Sequence, residues 1–219
     1  MNDVSEIEVP FDLRHACWFC GEPSSAKLSF PFDSLDRQAC KHQPLILPSC
    51  YECKNLAQKS SADSIFTLRQ AVKQSLITKY KAHLAIGLNW TKEELAQSEF
   101  EGGNFEGFKR SAWFMFEVAQ QRVNYSGWPI ILDGIELPDD GTANLFVFDG
   151  IEYPNIAVAI SYYCQQYFIN ESFFKSVLYI LGVEQFARAV RICRLQFEAT
   201  RKERQQLLLD LAKEQQSEQ

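Results

Sequence analysis

Two short cysteine pairs decide the fold: Cys17-Trp-Phe-Cys20-Gly21 and Cys50-Tyr-Glu-Cys53. Two residues separate the cysteines of each pair, and this spacing lets a tight turn present both sulfurs to one metal ion. Gly21 suits the first turn because glycine adopts backbone angles that other residues disfavour. Since thiolates are preferred zinc ligands, the four cysteines are predicted to bind one structural zinc ion.

The other nearby cysteine and histidine side chains are alternative ligands. His15, Cys40 and His42 are of the right type, but the two pairs already complete a four-ligand shell. Cys164 and Cys193 fall on apolar helical faces and are interpreted as small buried side chains. The seven cysteines therefore indicate a metal site and buried thiols rather than disulfides.

Composition places the chain among soluble globular proteins. It has 219 residues, of which 46% are hydrophobic and 23% charged, enough for one large domain or two small ones. No apolar run reaches the length that spans a bilayer, and the first residues are acidic and polar, unlike a secretory signal. We therefore expect a cytoplasmic protein without a membrane partner.

Apolar periodicity predicts a mainly helical chain interrupted by short strands. Apolar residues at spacings of three and four predict helices over residues 65–84, ending at Gly87, and over residues 105–123. Thr91 followed by Glu94 predicts a capping box and a short helix. Asp133-Gly134 and Asp149-Gly150 each predict a tight β-hairpin.

Helical patterns return in the last third of the chain. They predict helices over residues 155–168, over residues 170–181 with Asn170 as N-cap, and from Val183 to about residue 211. The best boundary falls at Ser126-Gly127, which predicts domains of residues 1–126 and 127–219.

The first cysteine pair and the stretch Leu47-Pro-Ser-Cys-Tyr-Glu-Cys-Lys-Asn55 resemble zinc-stapled members of the HNH endonuclease family. Phe66-Thr-Leu-Arg69 and Trp90-Thr-Lys-Glu-Glu-Leu95 resemble what often follows this module in bacterial and phage proteins. The resemblance covers residues 15–98 and implies a ββα core held by the zinc ion. The predicted fold is thus α+β and mainly helical: an N-terminal zinc-stapled ββα-like module, helices, β-hairpins and a C-terminal helical segment.

The catalytic part of the HNH pattern is missing from this sequence. Active members of the family carry an Asp-His pair at the end of the first strand, but residues 27–31 contain neither residue. Asp33 and Asp36 have no neighbouring imidazole, and His42 is the only histidine of the spacer. We therefore expect a scaffold without enzymatic activity. The alternative is a metal-dependent endonuclease that uses His42 as its base and Mg²⁺ or Mn²⁺ as its catalytic ion.

Basic side chains favour a nucleic acid partner despite the net charge of −6. Residues 54–100 carry 7 basic and 4 acidic side chains. Basic residues after the second pair and on the last predicted helix are candidate phosphate ligands. They are Lys54, Lys59, Arg69, Lys73, Lys79, Lys81, Arg188, Arg191 and Arg194. A solvated helix face, with acids interleaved, is the alternative interpretation.

The second half of the chain offers two further indications. Residues 148–160 resemble the modular DNA-binding segments found beside HNH nucleases, which end in a helix-turn-helix. The cluster of leucines from Leu207 to Leu211 indicates a homodimer through the last helix, as a hypothesis.

Three functions follow. The first is a zinc-containing nucleic-acid-binding protein on a decayed HNH-like scaffold, with DNA preferred over RNA, in the role of a phage or mobile-element regulator. The second is the active metal-dependent endonuclease. The third is an adaptor that binds a host protein, which the 9 acidic and 3 basic side chains of residues 101–170 favour. The first is our prediction.

Overall fold

The structure is a computed structural model that describes residues 5–32, 39–98, 103–139 and 145–217. It divides into two compact units, Met1–Asn155 and Ile156–Gln219. Asp33 and Asp36 lie outside the described residues. The predicted class, α+β and mainly helical, is confirmed.

The first unit contains short strands and five of the described helices. In chain order these are β1 (Ser5–Glu6), a 3₁₀ turn (Phe11–Leu13), β2 (Ala26–Phe30), β3 (Leu45–Ser49), α1 (Tyr51–Ala57), α2 (Ile65–Lys79), α3 (Lys81–Asn89), α4 (Lys92–Gln97), α5 (Gly103–Asn124), β4 (Ile131–Leu132), β5 (Ile135–Glu136), β6 (Phe146–Phe148) and β7 (Ile151–Tyr153).

A three-stranded sheet and helix α1 form the predicted ββα module. Strand β3 is central, with β2 antiparallel on one side, from Ala26 opposite Ser49 to Phe30 opposite Leu45. Strand β1 pairs in parallel on the other side. Because β3 ends at Ser49 and α1 begins at Tyr51, a single residue, Cys50, connects the strand to the helix.

The predicted hairpins and caps are confirmed. Asp133 and Gly134 both have positive φ, 51° and 77°, as do Asp149 and Gly150, at 49° and 71°. Two consecutive residues with positive φ define the type I′ turn that matches the twist of paired strands. The capping box at Thr91 is also present.

The helix predicted over residues 65–84 is two helices. Helix α2 ends at Lys79, and Tyr80, with φ −94° and ψ 12°, joins it to α3. Gly87, predicted as the end of this helix, lies inside α3. Glycine is needed there because helix α5 passes so close that a Cβ atom at this position would lie 2.3 Å from the Phe116 ring. A residue with a side chain at this position would therefore separate α3 from α5.

The predicted domain boundary at Ser126 differs from the division of the structure, which falls after Asn155. The reason is packing across residue 126. The indole of Trp18, which is fully buried, donates a 2.9 Å hydrogen bond to the carbonyl oxygen of Trp128. The segment after α5 therefore belongs to the same unit as the first cysteine pair.

The second unit is helical. Its elements are α6 (Ile156–Tyr167), α7 (Glu171–Leu181), a 3₁₀ turn (Val183–Gln185), α8 (Phe186–Leu195) and α9 (Arg201–Ser217). Asn170 caps α7, as predicted, by accepting a 2.9 Å bond from the Phe173 N–H. The single final helix predicted from Val183 is wrong, since a 3₁₀ turn precedes α8 and non-helical residues separate α8 from α9.

Candidate metal centre

The first cysteine pair lies in a tight turn before β2. The N–H of Gly21 donates to the carbonyl oxygen of Cys17 at 2.9 Å, and the N–H of Cys17 donates to the carbonyl oxygen of Glu22 at 2.7 Å. Gly21 has φ 74°, a conformation that a residue with a Cβ rarely adopts. The glycine therefore lets the chain reverse directly after Cys20, as the sequence predicted.

The second pair lies at the start of helix α1. Cys50 is the N-cap residue, and its sulfur accepts the N–H of Cys53 at 3.4 Å. A backbone bond from Trp18 N–H to the Pro48 carbonyl oxygen, 3.1 Å long, ties the first turn to strand β3. Strand pairing and this bond bring the two pairs together across the module.

The four sulfurs fit a tetrahedral zinc ion. The Sγ atoms of Cys17, Cys20, Cys50 and Cys53 all lie within 4.8 Å of one another, and all four residues are buried. The Cys20 and Cys50 sulfurs are 3.8 Å apart. Zn–S bonds of about 2.3 Å in a tetrahedron place neighbouring sulfurs about 3.8 Å apart, so little rearrangement is needed.

Within the described residues, these four cysteines are the one group of metal-ligand type that is close enough to share an ion. His15, Cys40 and His42 do not belong to it. An ion held by four buried thiolates has no open coordination position, and this arrangement is typical of structural rather than catalytic zinc. An ion bound by these four cysteines would connect β3, α1 and the first turn.

Crowding of the sulfurs shifts their acidity in opposite directions. Hydrogen bonds from the Cys17 thiol lower the pKa of Cys20, and bonds from the Cys17 and Cys20 thiols lower the pKa of Cys50. The pKa values of Cys17 and Cys53 are raised, because these two thiols donate hydrogen bonds to the neighbouring cysteine sulfurs. Four thiols in contact thus share their protons unevenly, and a bound metal replaces those protons.

A buried cation from helix α5 reaches the cluster. Arg122 is 8% exposed, and its Nη2 atom lies 3.6 Å from the Cys20 sulfur. The same guanidinium donates to the carboxylate of Glu52, on α1, and to the hydroxyl of Tyr80. Lys79 also contacts Glu52, and burial together with that carboxylate raises the pKa of Tyr80 to about 12. No sequence pattern indicates this role of Arg122, which is 102 positions from its sulfur partner.

Two of the predicted phosphate ligands face the interior instead of solvent. Arg69 is 5% exposed, donates to the Ser126 carbonyl oxygen at 2.7 Å and pairs with the carboxylate of Asp139. Lys73 is 3% exposed, and its ammonium group lies 3.2 Å from the carboxylate of Glu152. Because both charges are paired inside the fold, we remove these two residues from the candidate nucleic-acid surface.

Other predicted phosphate ligands of the first unit remain at the surface. Lys59 and Lys81 are exposed and Lys54 is half-buried, and none of the three forms an ion pair within the described ranges. Lys79 is exposed but lies against Glu52. The surface candidates of this unit are therefore Lys54, Lys59 and Lys81.

The arginines of α8 have different surroundings. Arg188 forms a 3.0 Å ion pair with Glu214 of α9, and the Arg194 guanidinium lies 4.1 Å from the centre of the Tyr167 ring. Arg191 is exposed. The predicted stripe is thus partly used for packing inside the second unit.

His42 has a structural role. Its Nε2 atom accepts the Ile65 N–H at 2.8 Å, at the first turn of α2, and its Nδ1 atom lies 2.9 Å from the Gln43 carbonyl oxygen. A neutral ring with its proton on Nδ1 satisfies both bonds, so neither nitrogen is left to accept a proton from water. This geometry opposes the endonuclease alternative.

Cys164 and Cys193 are buried in the second unit, as predicted. Burial raises the pKa of Cys164 to about 11 and that of Cys193 to about 12, so both remain protonated thiols at neutral pH. They behave as small apolar side chains.

No family model, curated protein or solved structure matches the chain. Over the residues that the structure describes, every helix is too short or too polar to cross a bilayer.

Proposed function

We propose that this chain is a structural-zinc protein whose N-terminal unit binds nucleic acid through the ββα module and does not cut it. The observation that carries the proposal is the group of four buried sulfurs, which lie at tetrahedral spacing at the start of helix α1. The zinc ion would be held by Cys17, Cys20, Cys50 and Cys53. It would supply the rigidity that a seven-residue helix and five-residue strands lack by themselves.

The nucleic-acid part of the proposal is supported by the position of the unpaired lysines. Lys54 lies on α1 directly after the last zinc ligand, Lys59 follows the end of the same helix, and Lys81 begins α3. Phosphate contact needs ammonium groups that are free of internal carboxylates, and these three meet that condition in the described part of the chain. The absence of cutting is supported by His42, whose ring nitrogens bind backbone groups.

Fluorescence anisotropy with labelled DNA and RNA duplexes tests this function. The zinc-loaded protein is titrated at several salt concentrations, and the same samples are run on gels with Mg²⁺ or Mn²⁺ to score cleavage. We expect binding without cleavage. The triple variant K54A/K59A/K81A should bind more weakly, with a salt slope reduced by about 2–3 if each lysine neutralises one phosphate.

A matched control removes the same charge elsewhere. Lys92, Lys175 and Lys213 are exposed but paired with acids of their own unit, so K92A/K175A/K213A should bind nearly as wild type does. Equal losses in the two triple variants would mean that only net charge matters. Metal-dependent cleavage that survives in H42A would instead require another base.

A second candidate function, protein binding, is favoured by the surface of the second unit. Tyr179 is 92% exposed, and Phe168 and Leu195 are each 79% exposed. Leu209 of α9 is 54% exposed, whereas Leu211 is buried in its own unit and is not free for a partner. Exposed large apolar side chains often mark protein interfaces.

Sedimentation velocity over a range of concentrations tests the homodimer form of this candidate. Self-association that Y179S/L209S abolishes would support an interface on α7 and α9. A mass that stays monomeric at every concentration would exclude the homodimer.

A further inference from the structure

Charge balance at the cysteine cluster points to one side chain outside it. A zinc ion with four thiolates carries a net charge of −2, and all four cysteines are buried. A buried charge is costly unless donors or opposite charges compensate it. The Cys53 N–H supplies one donor, to the Cys50 sulfur.

Arg122 supplies a full positive charge at the same place. Its Nη2 atom is 3.6 Å from the Cys20 sulfur, within the longer range of hydrogen bonds to sulfur. With 8% of its surface exposed, the side chain has little access to water as a substitute partner. The same Nη2 atom also donates to the Glu52 carboxylate, and Nη1 donates to the Tyr80 hydroxyl.

We propose that Arg122 is a positioning residue of the zinc site: it holds the Cys20 sulfur by a charged hydrogen bond and couples zinc binding to the end of helix α5. This inference rests on the proposed zinc function. Groups around the ligands of a metal site commonly change metal affinity by about 10–100-fold when they are removed, because they orient the ligands and balance their charge.

Further contacts extend this coupling along the chain. Tyr125 packs on the first cysteine turn so closely that a Cβ atom at Gly21 would lie 2.9 Å from its ring. Asn124 donates to the Gly150 carbonyl oxygen at 2.6 Å and accepts the Glu152 N–H at 2.9 Å, which anchors the β6–β7 hairpin. The end of α5 thus contacts the zinc turn and the hairpin together, so loss of zinc should loosen both.

Two measurements on the full-length protein test the role of Arg122. The first is the rate at which bound zinc is transferred to a coloured chelator in excess. The second is the absorption spectrum of the cobalt(II)-substituted protein, in which the sulfur-to-cobalt charge-transfer band responds to hydrogen bonds at the thiolates. We expect R122Q to release zinc about 10–100-fold faster than wild type and to shift the charge-transfer band.

Three further variants separate this role from general packing. R110Q removes the same charge from an exposed position of the same helix and should behave as wild type. E52Q removes the ion pair between Glu52 and Arg122 but keeps the Arg122 guanidinium that contacts the Cys20 sulfur. Zinc release from E52Q should therefore be no faster than from wild type. If R122Q does not fold, R122K keeps the charge without the planar fork and should release zinc several-fold faster.

Wild-type release rates and an unshifted band in R122Q and R122K would overturn the inference. So would E52Q releasing zinc as fast as R122Q, because the effect would then come from the Glu52 contact. A wild-type protein that binds neither zinc nor cobalt through four thiolates would refute the proposed zinc function itself, which is a different result.

Discussion

Replacement of Arg69 should destabilise the first unit, because this buried side chain connects three of its segments. The guanidinium donates to the Ser126 carbonyl oxygen at 2.7 Å, lies 4.9 Å from the centre of the Trp18 ring and pairs with Asp139. It therefore joins helix α2 to the first cysteine turn and to the segment after α5. Arg69→Ala should unfold more easily than wild type.

The magnitude follows from these three contacts. A charged hydrogen bond from Arg69 to the Ser126 carbonyl oxygen contributes about 1.5–3 kcal/mol, and the contact with the indole ring about 1 kcal/mol. The ion pair adds at most about 1 kcal/mol because the Asp139 side chain is 31% exposed. We therefore expect R69A to lower the free energy of unfolding by about 3–5 kcal/mol, the range found when one partner of a buried pair is removed.

Urea unfolding followed by tryptophan fluorescence measures this change. All four tryptophans lie in the first unit, so the signal reports on that unit alone. With a urea slope of about 2 kcal/mol per molar, the midpoint should fall by about 1.5–2.5 M. Lys59→Ala is the control, since the exposed Lys59 has no ion pair in the described ranges and its loss should leave the midpoint unchanged. A shift below about 0.5 M for R69A would refute the assigned interior role.

Three other predictions follow from single contacts. Gly127→Ala should cost about 2–4 kcal/mol in urea unfolding, because Gly127 has φ 72° and its Cβ atom would lie 2.8 Å from the Trp18 carbonyl oxygen. Gly134→Ala, with φ 77° and open space around it, should lose only the stability that corresponds to the strained backbone angle. An equal loss of stability in Gly127→Ala and Gly134→Ala would contradict the close contact between Gly127 and Trp18. His42→Ala removes the acceptor at the start of α2 and should cost about 1 kcal/mol in the same assay; no loss of stability would contradict the capping role. Burial lowers the pKa of Lys73 from 10.5, so the folded state binds fewer protons than the unfolded state below that pH and stability rises with pH. The stability of wild type relative to Lys73→Met should therefore increase as the pH rises toward 10.5, and a difference independent of pH would contradict this origin.

The turns and helix caps were predictable from sequence because each depends on residues that are close together in the chain. The Asp-Gly turns, the Thr91 capping box and the Asn170 cap depend on backbone angles and on bonds over three or four residues. The cysteine pairs were recognisable because the spacing in each pair reflects the turn that presents two sulfurs to one ion. The structure adds that the two pairs lie together.

Long-range pairing could not be read from the sequence. Arg69 and Lys73 stand one position after Leu68 and Val72 in an amphipathic pattern, where a solvated face and a buried ion pair look alike. Their acidic partners are 70 and 79 residues away. Only the folded structure shows that Asp139 and Glu152 lie beside Arg69 and Lys73. The number of basic residues in this stretch of sequence therefore overstated the unpaired positive charge at the surface.

The breaks in the predicted helices have a similar cause. Apolar periodicity continues across Tyr80, because Leu76 and Leu84 both face the core, yet the backbone turns between them. The hydroxyl of Tyr80 reaches the carboxylate of Glu52 at 2.9 Å and accepts from Arg122. The position of the break therefore coincides with a contact to the zinc module, which periodicity alone does not encode.

The central claim, that four cysteines hold a structural zinc ion on which the first unit depends, is tested most directly by urea unfolding of zinc-loaded and chelator-treated protein, followed by tryptophan fluorescence. Structural zinc contributes about 10–16 kcal/mol in zinc-finger peptides, as much as a whole domain's stability of about 5–15 kcal/mol. We predict that removing one zinc per chain abolishes the cooperative transition of the first unit and that added zinc restores it. An unchanged transition in metal-free protein would contradict the claim.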